Sequence, residues 1–349
     1  MSCINTYKVV ILCFLAVHLF LPATVRAEQG RALDSIRICS MNIDMLGRKD
    51  ETKPKAKQSE SEFQKHRKKQ LGFLAERVIS ASCDIVAVQE IYGLSSKEAN
   101  KNIRSLASAV SKASPLGLKY VYHAATTNDK RLRNGYIFRG DIGAVRISDL
   151  YRENVPSADR SSPSRRFMRG PVALSVDVAS TKRSNPTKLY LVNYHLKSKA
   201  DGWKDLSGLS YELNRVETAE AVRDIASRAL RQGYDIVMFL GDRNSDTGSA
   251  TDYVLSGIRS LDDFRGMCSI DKKFLEANCG SYKGKEPDFI GVLANKSRSL
   301  YSYKYKNKQS LIDEIYINKN SLRFVNDAGV VGEYLKGSDH LLTWVEVGI

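Results

Sequence analysis

Nine side chains able to bind a cation, move a proton or hold a phosphate lie at or near the ends of apolar runs of this chain. They are Asn42, Asp44, Glu90, His195, Asp242, Asn244, Asp313, Asp339 and His340. One carboxylate at a strand end is usually a structural cap; the recurrence asks for a chemical reason. Carboxylates and amides without thiolates favour a hard cation, Mg²⁺ or Mn²⁺, over zinc. A carboxylate-held metal beside two imidazoles suits phosphate-ester cleavage: the ion offsets phosphoryl charge, a base activates water, and donors hold the charge that develops. His66 and His123 have no comparable setting and read as surface or core residues.

The elements that must carry these residues are short and apolar. Ile236 to Leu240 is a five-residue apolar run that closes on Gly241-Asp242-Arg243-Asn244, the pattern of a strand buried on both faces. If that segment stays extended, Asp242 and Asn244 point into one pocket, because alternate side chains share a face. Ser35 to Asp44 alternates like a strand and ends with the same spacing at Asn42 and Asp44. Further strands are expected over Asp84–Glu90, Tyr120–His123, Gly135–Arg139, Val172–Val178, Leu189–Ser198, Ser310–Ile317 (with Asp313 inside it) and Leu341–Val347. Amphipathic patterns predict helices from Phe63 onward, over 95–114, and from Leu213 to Gln232, the last closed by Gly233. Residues 126–134 form a basic loop, 151–166 a Ser/Arg/Pro-rich surface loop, and 245–300 a loop-rich stretch. Many strands with few helices and long insertions imply two packed sheets with helices outside.

Residues 1–27 stand apart. Lys8 precedes an apolar run from Val9 to Val25, and Val25-Arg26-Ala27 offers a small-x-small cleavage pattern. The segment reads as a secretory signal cut after Ala27, leaving 28–349 as a single domain, secreted or periplasmic. Losing Lys8 and Arg26 lowers the net charge from +15 to +13. That excess points to a polyanionic partner such as nucleic acid, acidic headgroups or polysaccharide. Of the cysteines left, Cys39 and Cys83 read as small buried core residues, and Cys268 with Cys279 as one possible disulfide. A C-x-x-C metal spacing is lacking.

Six pieces in sequence order, MNID at 41–44, VAVQE at 86–90, NYHLKS at 193–198, FLGDRN at 239–244, LIDEIYI at 311–317 and GSDH at 337–340, resemble the endonuclease/exonuclease/phosphatase superfamily, the deoxyribonuclease I-like fold. The resemblance spans the chain beyond the signal segment. It implies a four-layer α/β sandwich with the site at the rim of two packed mixed sheets. It makes Glu90 the principal metal ligand, with Asn42, Asp44 and Asp339 near the ion or its waters. His340 becomes the general base, oriented by Asp313, with Asp242 the alternative for activating the nucleophile. His195 and Asn244 would bind the scissile phosphate. Phe167-x-Arg169-x-Pro171 resembles the family's phosphate-contacting F-x-R-x-P element. Two departures stand out. Arg243 replaces the usual apolar residue of G-D-x-N and is expected to face outward. The stretch Lys130 to Arg133 lacks the family's supporting acid unless Asp129 shifts in, which leaves His195 as a general acid open.

Superfamily members cleave DNA, RNA, phosphoinositides and sphingomyelin, so the resemblance does not choose a substrate. Charge does more. Arg133, Arg169 and Lys197 are expected to contact substrate phosphate, and Lys130, Arg131, Arg165 and Arg166 lie in the same segments. A polyphosphate chain rewards such a surface by counterion release. The first reading is an exported, monomeric, Mg²⁺-dependent nuclease acting on DNA or RNA with little sequence preference and no lasting membrane association. The alternatives are a secreted lipid-headgroup phosphodiesterase or phosphatase, which would want an exposed apolar hairpin, and a non-catalytic nucleic-acid-binding protein.

Overall fold

The structure, a computed structural model, describes residues 24–25, 32–48, 59–199, 209–266, 269–270, 277–278, 285–305 and 307–349. Twelve principal strands follow one another: β1 (Ser35–Leu46), β2 (Ile85–Tyr92), β3 (Tyr120–Ala124), β4 (Leu132–Arg139), β5 (Ala144–Asp149), β6 (Val172–Val178), β7 (Thr187–His195), β8 (Ile236–Asp242), β9 (Phe289–Gly291), β10 (Asp313–Asn318), β11 (Val325–Val331) and β12 (Leu342–Gly348). Four helices matter for the site: α1 (Glu60–Ser80), α2 (Ser96–Ala113), α3 (Leu209–Arg231) and α4 (Ala250–Ser256). One sheet runs β11-β12-β1-β2-β4-β3, the other β5-β6-β7-β8-β10-β9, with Thr24–Val25 pairing along the outer edge of β5. Apart from those two residues, the segment read as a secretory signal lies outside the described residues. Among the described residues, no helix is long and apolar enough to cross a membrane.

Two-residue alternation builds the layers. On β1, Ile36 and Ile38 enter the core between the sheets, whereas Cys39, Met41 and Ile43 pack outward against α1 and α2. On β8, Met238 and Leu240 face the other sheet, while Val237 and Phe239 pack with α3 and α4. Three apolar cores between four layers result: helices, sheet, sheet, helices. This is the four-layer α/β sandwich expected. Such strands are buried on both faces, so their sequences are continuously apolar and not alternating.

Several local expectations need correction. Cys39 and Cys83 are buried, but they are bonded to each other as a disulfide rather than left as free core thiols. Cys268 and Cys279 lie outside the described residues. The strand expected over Ser310–Ile317 is broken: Lys308–Ser310 pairs with Tyr303–Tyr305 in a separate hairpin, and β10 begins at Asp313. Asp313 therefore opens a strand, at the sheet's rim.

Each sheet has one central parallel pair, β1 with β2 and β7 with β8. Parallel strands end together, so both pairs deliver their carboxyl ends to the same rim. Just behind it the sheets are pinned by buried amides: Gln89 Nε2 donates to Asn193 Oδ1 at 2.7 Å, and Asn193 Nδ2 donates to Val88 O and Gly135 O.

Candidate active site

Register places the first three residues. His195 pairs with Asp242 across the parallel β7–β8 ladder, and Asp242 pairs with Asp313 across the antiparallel β8–β10 ladder. Three chemically active side chains thus sit abreast on one sheet edge. The facing sheet contributes Asn42, whose Nδ2 donates to Asp242 Oδ2 at 3.2 Å, and Glu90, whose Oε1 is 3.8 Å from His195 Nε2. The loop before β12 adds His340, with Nδ1 2.7 Å from Asp313 Oδ2 and Nε2 3.8 Å from Asp242 Oδ2. Asp339 Oδ1 stands 4.0 Å from the same Nε2. All nine strand-end residues converge, except that Asn244 arrives by a different route than expected.

The extended geometry assumed for Asp242 and Asn244 does not hold. Asn244 adopts φ 52°, and its backbone N–H donates to Asp242 Oδ1 at 2.8 Å, while its side-chain amide donates to Leu196 O. Asp44 repeats the device, with φ 45° and its N–H on Asn42 Oδ1 at 3.1 Å. Both i, i+2 pairs are therefore turns closed by the first side chain, which Asn and Asp tolerate. Glu90 also has positive φ, 61°, at a break in the β2–β4 register between Val88 and Ile91. A bulge of this kind re-aims one side chain out of the alternation, and strained backbone of this kind gathers at functional sites.

Arg169 reaches the site from the segment before β6. Its NH1 lies 2.6 Å from His195 Nε2 and donates to Leu196 O at 3.0 Å, while its Nε is 3.7 Å from Asp129 Oδ2. Asp129 thus supports the arginine and not the histidine. Lys197 lines the same small hollow and lies over the Tyr211 ring. Arg133 is not brought there: it is buried, and its NH1 donates to Gly93 O. Arg165 is engaged by Glu217 and Arg166 by the Arg152 carbonyl, so the basic segment is partly spent on structure.

No family model matches the sequence, and no curated protein matches it either. Solved structures do match. An endonuclease/exonuclease/phosphatase family protein from Bacteroides thetaiotaomicron aligns with 90% of this chain and 97% of its own at TM-score 0.52 and 13% identity. ANGEL2, a 2′,3′-cyclic phosphatase, aligns with 89% and 94% at TM-score 0.54 and 12% identity. A mannosyl-6-phosphatase from B. thetaiotaomicron aligns with 90% and 100% at TM-score 0.50 and 13% identity. The fold is that of the endonuclease/exonuclease/phosphatase family.

Within this fold the electrostatics divide the site. Burial, then Arg169, His340 and Lys197, push His195 well below the ordinary imidazole value. It is neutral, so its 3.4 Å approach to Asp242 is no ion pair, and Nε2 accepts from Arg169. For His340, burial alone would lower the value, but Asp313 and Asp242 outweigh it and hold the imidazole up at about 10. Burial raises Glu90 and Asp44, the latter with help from Asp339, and lifts Asp242 to about 7 against the pull of His340. Crowded carboxylates that resist ionising are what a cation would relieve.

Asp242, Asp313 and His340 offer ligand atoms within 4.8 Å of one another, a group able to bind a metal. Asp313 Oδ2 and His340 Nδ1 are already hydrogen-bonded to each other at 2.7 Å. The set Glu90, Asn42, Asp44 and Asp339 is more open to solvent, with Asp44 exposed and Asp339 half-buried, and its carboxylates do not form as close a group. Carboxylates without thiolates are donors that suit a divalent cation, and only the first place adds an imidazole.

Sequence reasoning misplaced Arg243 and overlooked its helpers. Arg243 does not face outward; it is fully buried. Nε donates to Ser245 O, NH1 to Asp252 Oδ1 and Tyr316 OH, and NH2 to Thr247 Oγ1 and Leu311 O. Every guanidinium donor group is engaged, and the loop carrying Asn244 is tied to the strand opening at Asp313. Glu212 and Arg215 of α3 form a second buried pair beneath it, bonded to Ser245, Thr251 and the Lys197 carbonyl. Arg77 of α1 donates to His340 O at 2.6 Å and to Glu333 O. A charged residue on an otherwise apolar helix face was the available signal for Arg77; long-range carbonyl partners leave none.

Proposed function

We propose that this protein is a divalent-metal-dependent phosphodiesterase that hydrolyses nucleic acid, DNA first and RNA second, after export. The observation that carries the reading is the convergence of His195, Asp242, Asp313, His340 and Glu90 on one rim beside an arginine aimed at the first histidine. Fold-sharing proteins named as a 2′,3′-cyclic phosphatase and a mannosyl-6-phosphatase support phosphoester chemistry and leave the substrate open.

In this reading the phosphate lies between the two histidines. Arg169 and His195 face two of its oxygens, Arg169 as a charged donor and His195 once a proton is placed on Nε2; the Asn244 amide, two residues beyond Asp242, supplies another N–H. Asp313 accepts from His340 Nδ1 and so fixes Nε2 as the atom that exchanges a proton. Once His340 has given up its Nε2 proton, water attacks phosphorus and passes a proton to that atom with Asp242 alongside, while the opposite P–O bond breaks and the departing oxygen takes a proton from solvent. Glu90, Asn42, Asp44 and Asp339 would hold Mg²⁺ or Mn²⁺. That ion would supply charge against a phosphoryl oxygen and against the carboxylates that keep His340 protonated.

Nucleic acid is preferred over lipid because the features at the mouth are basic. The hairpin strands Tyr303–Tyr305 and Lys308–Ser310 touch His340 through Tyr303 and bring Lys304 and Lys308 to that side. Export is supported by the Cys39–Cys83 disulfide, a bond of oxidising compartments. Among the described residues, cleavage after Ala27 would remove the Thr24–Val25 edge pairing. The deciding experiment incubates purified protein and Mg²⁺ with plasmid DNA, structured RNA and sphingomyelin in parallel, with and without EDTA. Cleavage of sphingomyelin alone, or chelator-resistant cleavage, would overturn the reading.

A further inference from the structure

We propose that a groove along α1 is the track for a single-stranded stretch of nucleic acid on one side of the scissile phosphate. The inference rests on the phosphodiesterase reading and extends it to a binding subsite.

Phe63, His66, Gln70 and Phe73 recur every three or four residues and so lie on one face of α1. That face borders two contiguous hollows that share Asp44, His66 and Gln70. The first, of about 290 Å³, is closed by Lys69, Phe73, Leu335 and Lys336, and opens at its inner end on Asp44 and Asp339. The second, of about 280 Å³, is bounded by Phe63, Gly47 and Arg48. Each approaches the lower limit of small-ligand sites, ~300 Å³. From Phe63 to Phe73 the helix advances roughly 15 Å, the reach of a few nucleotides and more than one headgroup needs.

The floor is fixed. Gln70 Nε2 donates to Ile43 O, Asp44 O and Gly337 O, so one amide clamps the helix to both loops that carry site carboxylates. The lining is graded. Carboxylates stand at the inner end, two half-buried phenyl rings along the length, and Arg48, His66, Lys69 and Lys336 at the outer rim. Lys69 stands over the Phe73 ring and Lys336 pairs with Glu333 at 2.6 Å, so both turn outward when a phosphate is drawn to the rim and a base or sugar lies across the rings. Base stacking on aromatics with backbone charge met by lysine and arginine is how single strands are held without sequence preference. A duplex keeps its bases stacked inside and would leave the rings unused. Leu335 adds a second sign of a ligand: a large apolar side chain, 68% exposed, held at φ 62° beside Lys336. Such strain persists at ligand clamps.

The test compares Lys69→Glu/Lys336→Glu with the parent protein on two substrates with Mg²⁺: a short single-stranded oligonucleotide and bis(p-nitrophenyl) phosphate, a diester with nothing on its flanks. Both lysines are solvent-exposed, so the variant is expected to fold, and its melting curve checks that. The expected result is a fall of at least about tenfold in the ratio of oligonucleotide to diester kcat/KM, with a salt dependence shallower by about two charges. An unchanged ratio overturns the groove and leaves the phosphodiesterase standing. A parent protein that cleaves the diester but no oligonucleotide overturns the groove together with the nucleic-acid substrate, and not the hydrolytic chemistry.

Discussion

His195 and His340 flank the same carboxylate, at 3.4 and 3.8 Å from Asp242 Oδ2, and the protein sets them in opposite states. His195 meets cations, Arg169 and Lys197, and is driven neutral. His340 meets anions, Asp313 and Asp242, and is held protonated. Both are buried, so burial cannot explain the difference; the signs of the neighbours do. In the proposed reading, the first half of the site faces phosphate oxygens and the second moves a proton.

The comparison can be broken most severely at the His340 half. His340→Ala should lower kcat by about 10⁴, the upper end for lost general acid–base catalysis. EDTA should reduce turnover to background, with Mg²⁺ or Mn²⁺ restoring it, and Glu90→Ala should resist that restoration. His195→Ala should cost about 10²–10³ in kcat, the effect of one missing donor to developing charge. Equal losses at the two histidines, in steady-state assays on one substrate, would erase the distinction.

pH sharpens it. A base held protonated by carboxylates must lose its proton to work, so kcat/KM should rise with pH. Asp313 raises the His340 value, so Asp313→Asn should move the rising limb to lower pH while reducing the maximum. His195→Ala should leave that limb in place. A limb that follows His195 instead would reverse the assignments.

Two smaller effects contrast the arginines. Arg243→Met removes the cation from Asp252, which keeps the Tyr316 hydroxyl and the Gly248 N–H, and leaves loop carbonyls unpaired, and breaking a buried charge pair costs about 3–5 kcal/mol. Urea unfolding should show that loss. Arg169→Lys should leave stability nearly unchanged yet raise KM, because a point charge cannot reproduce the planar fork. Lys197→Ala should do least, a few-fold in KM with a shallower salt response.

What the amino-acid sequence by itself determined is nine of the twelve principal strands, without Ala144–Asp149, Phe289–Gly291 and Val325–Val331, and the polar residue that closes several of the nine. Apolar runs that stop at Asn42, Glu90, His195 and Asp242 are local patterns, and burial on both faces is written in their composition, whereas Asp313 was read inside a strand that it opens. The sequence could not say how Asp44, Glu90 and Asn244 are aimed, because positive φ and a bulge arise where neighbouring strands fall out of register. It misread Arg243 for a related reason: a guanidinium is expected in water unless five partners, four of them outside its own turn of chain, surround it. It also left Cys39 and Cys83 unpaired, since only the parallel β1–β2 pairing brings positions 44 residues apart into bonding range. Tertiary structure decided those points, because charge state, disulfide partner and side-chain direction depend on neighbours distant in the chain.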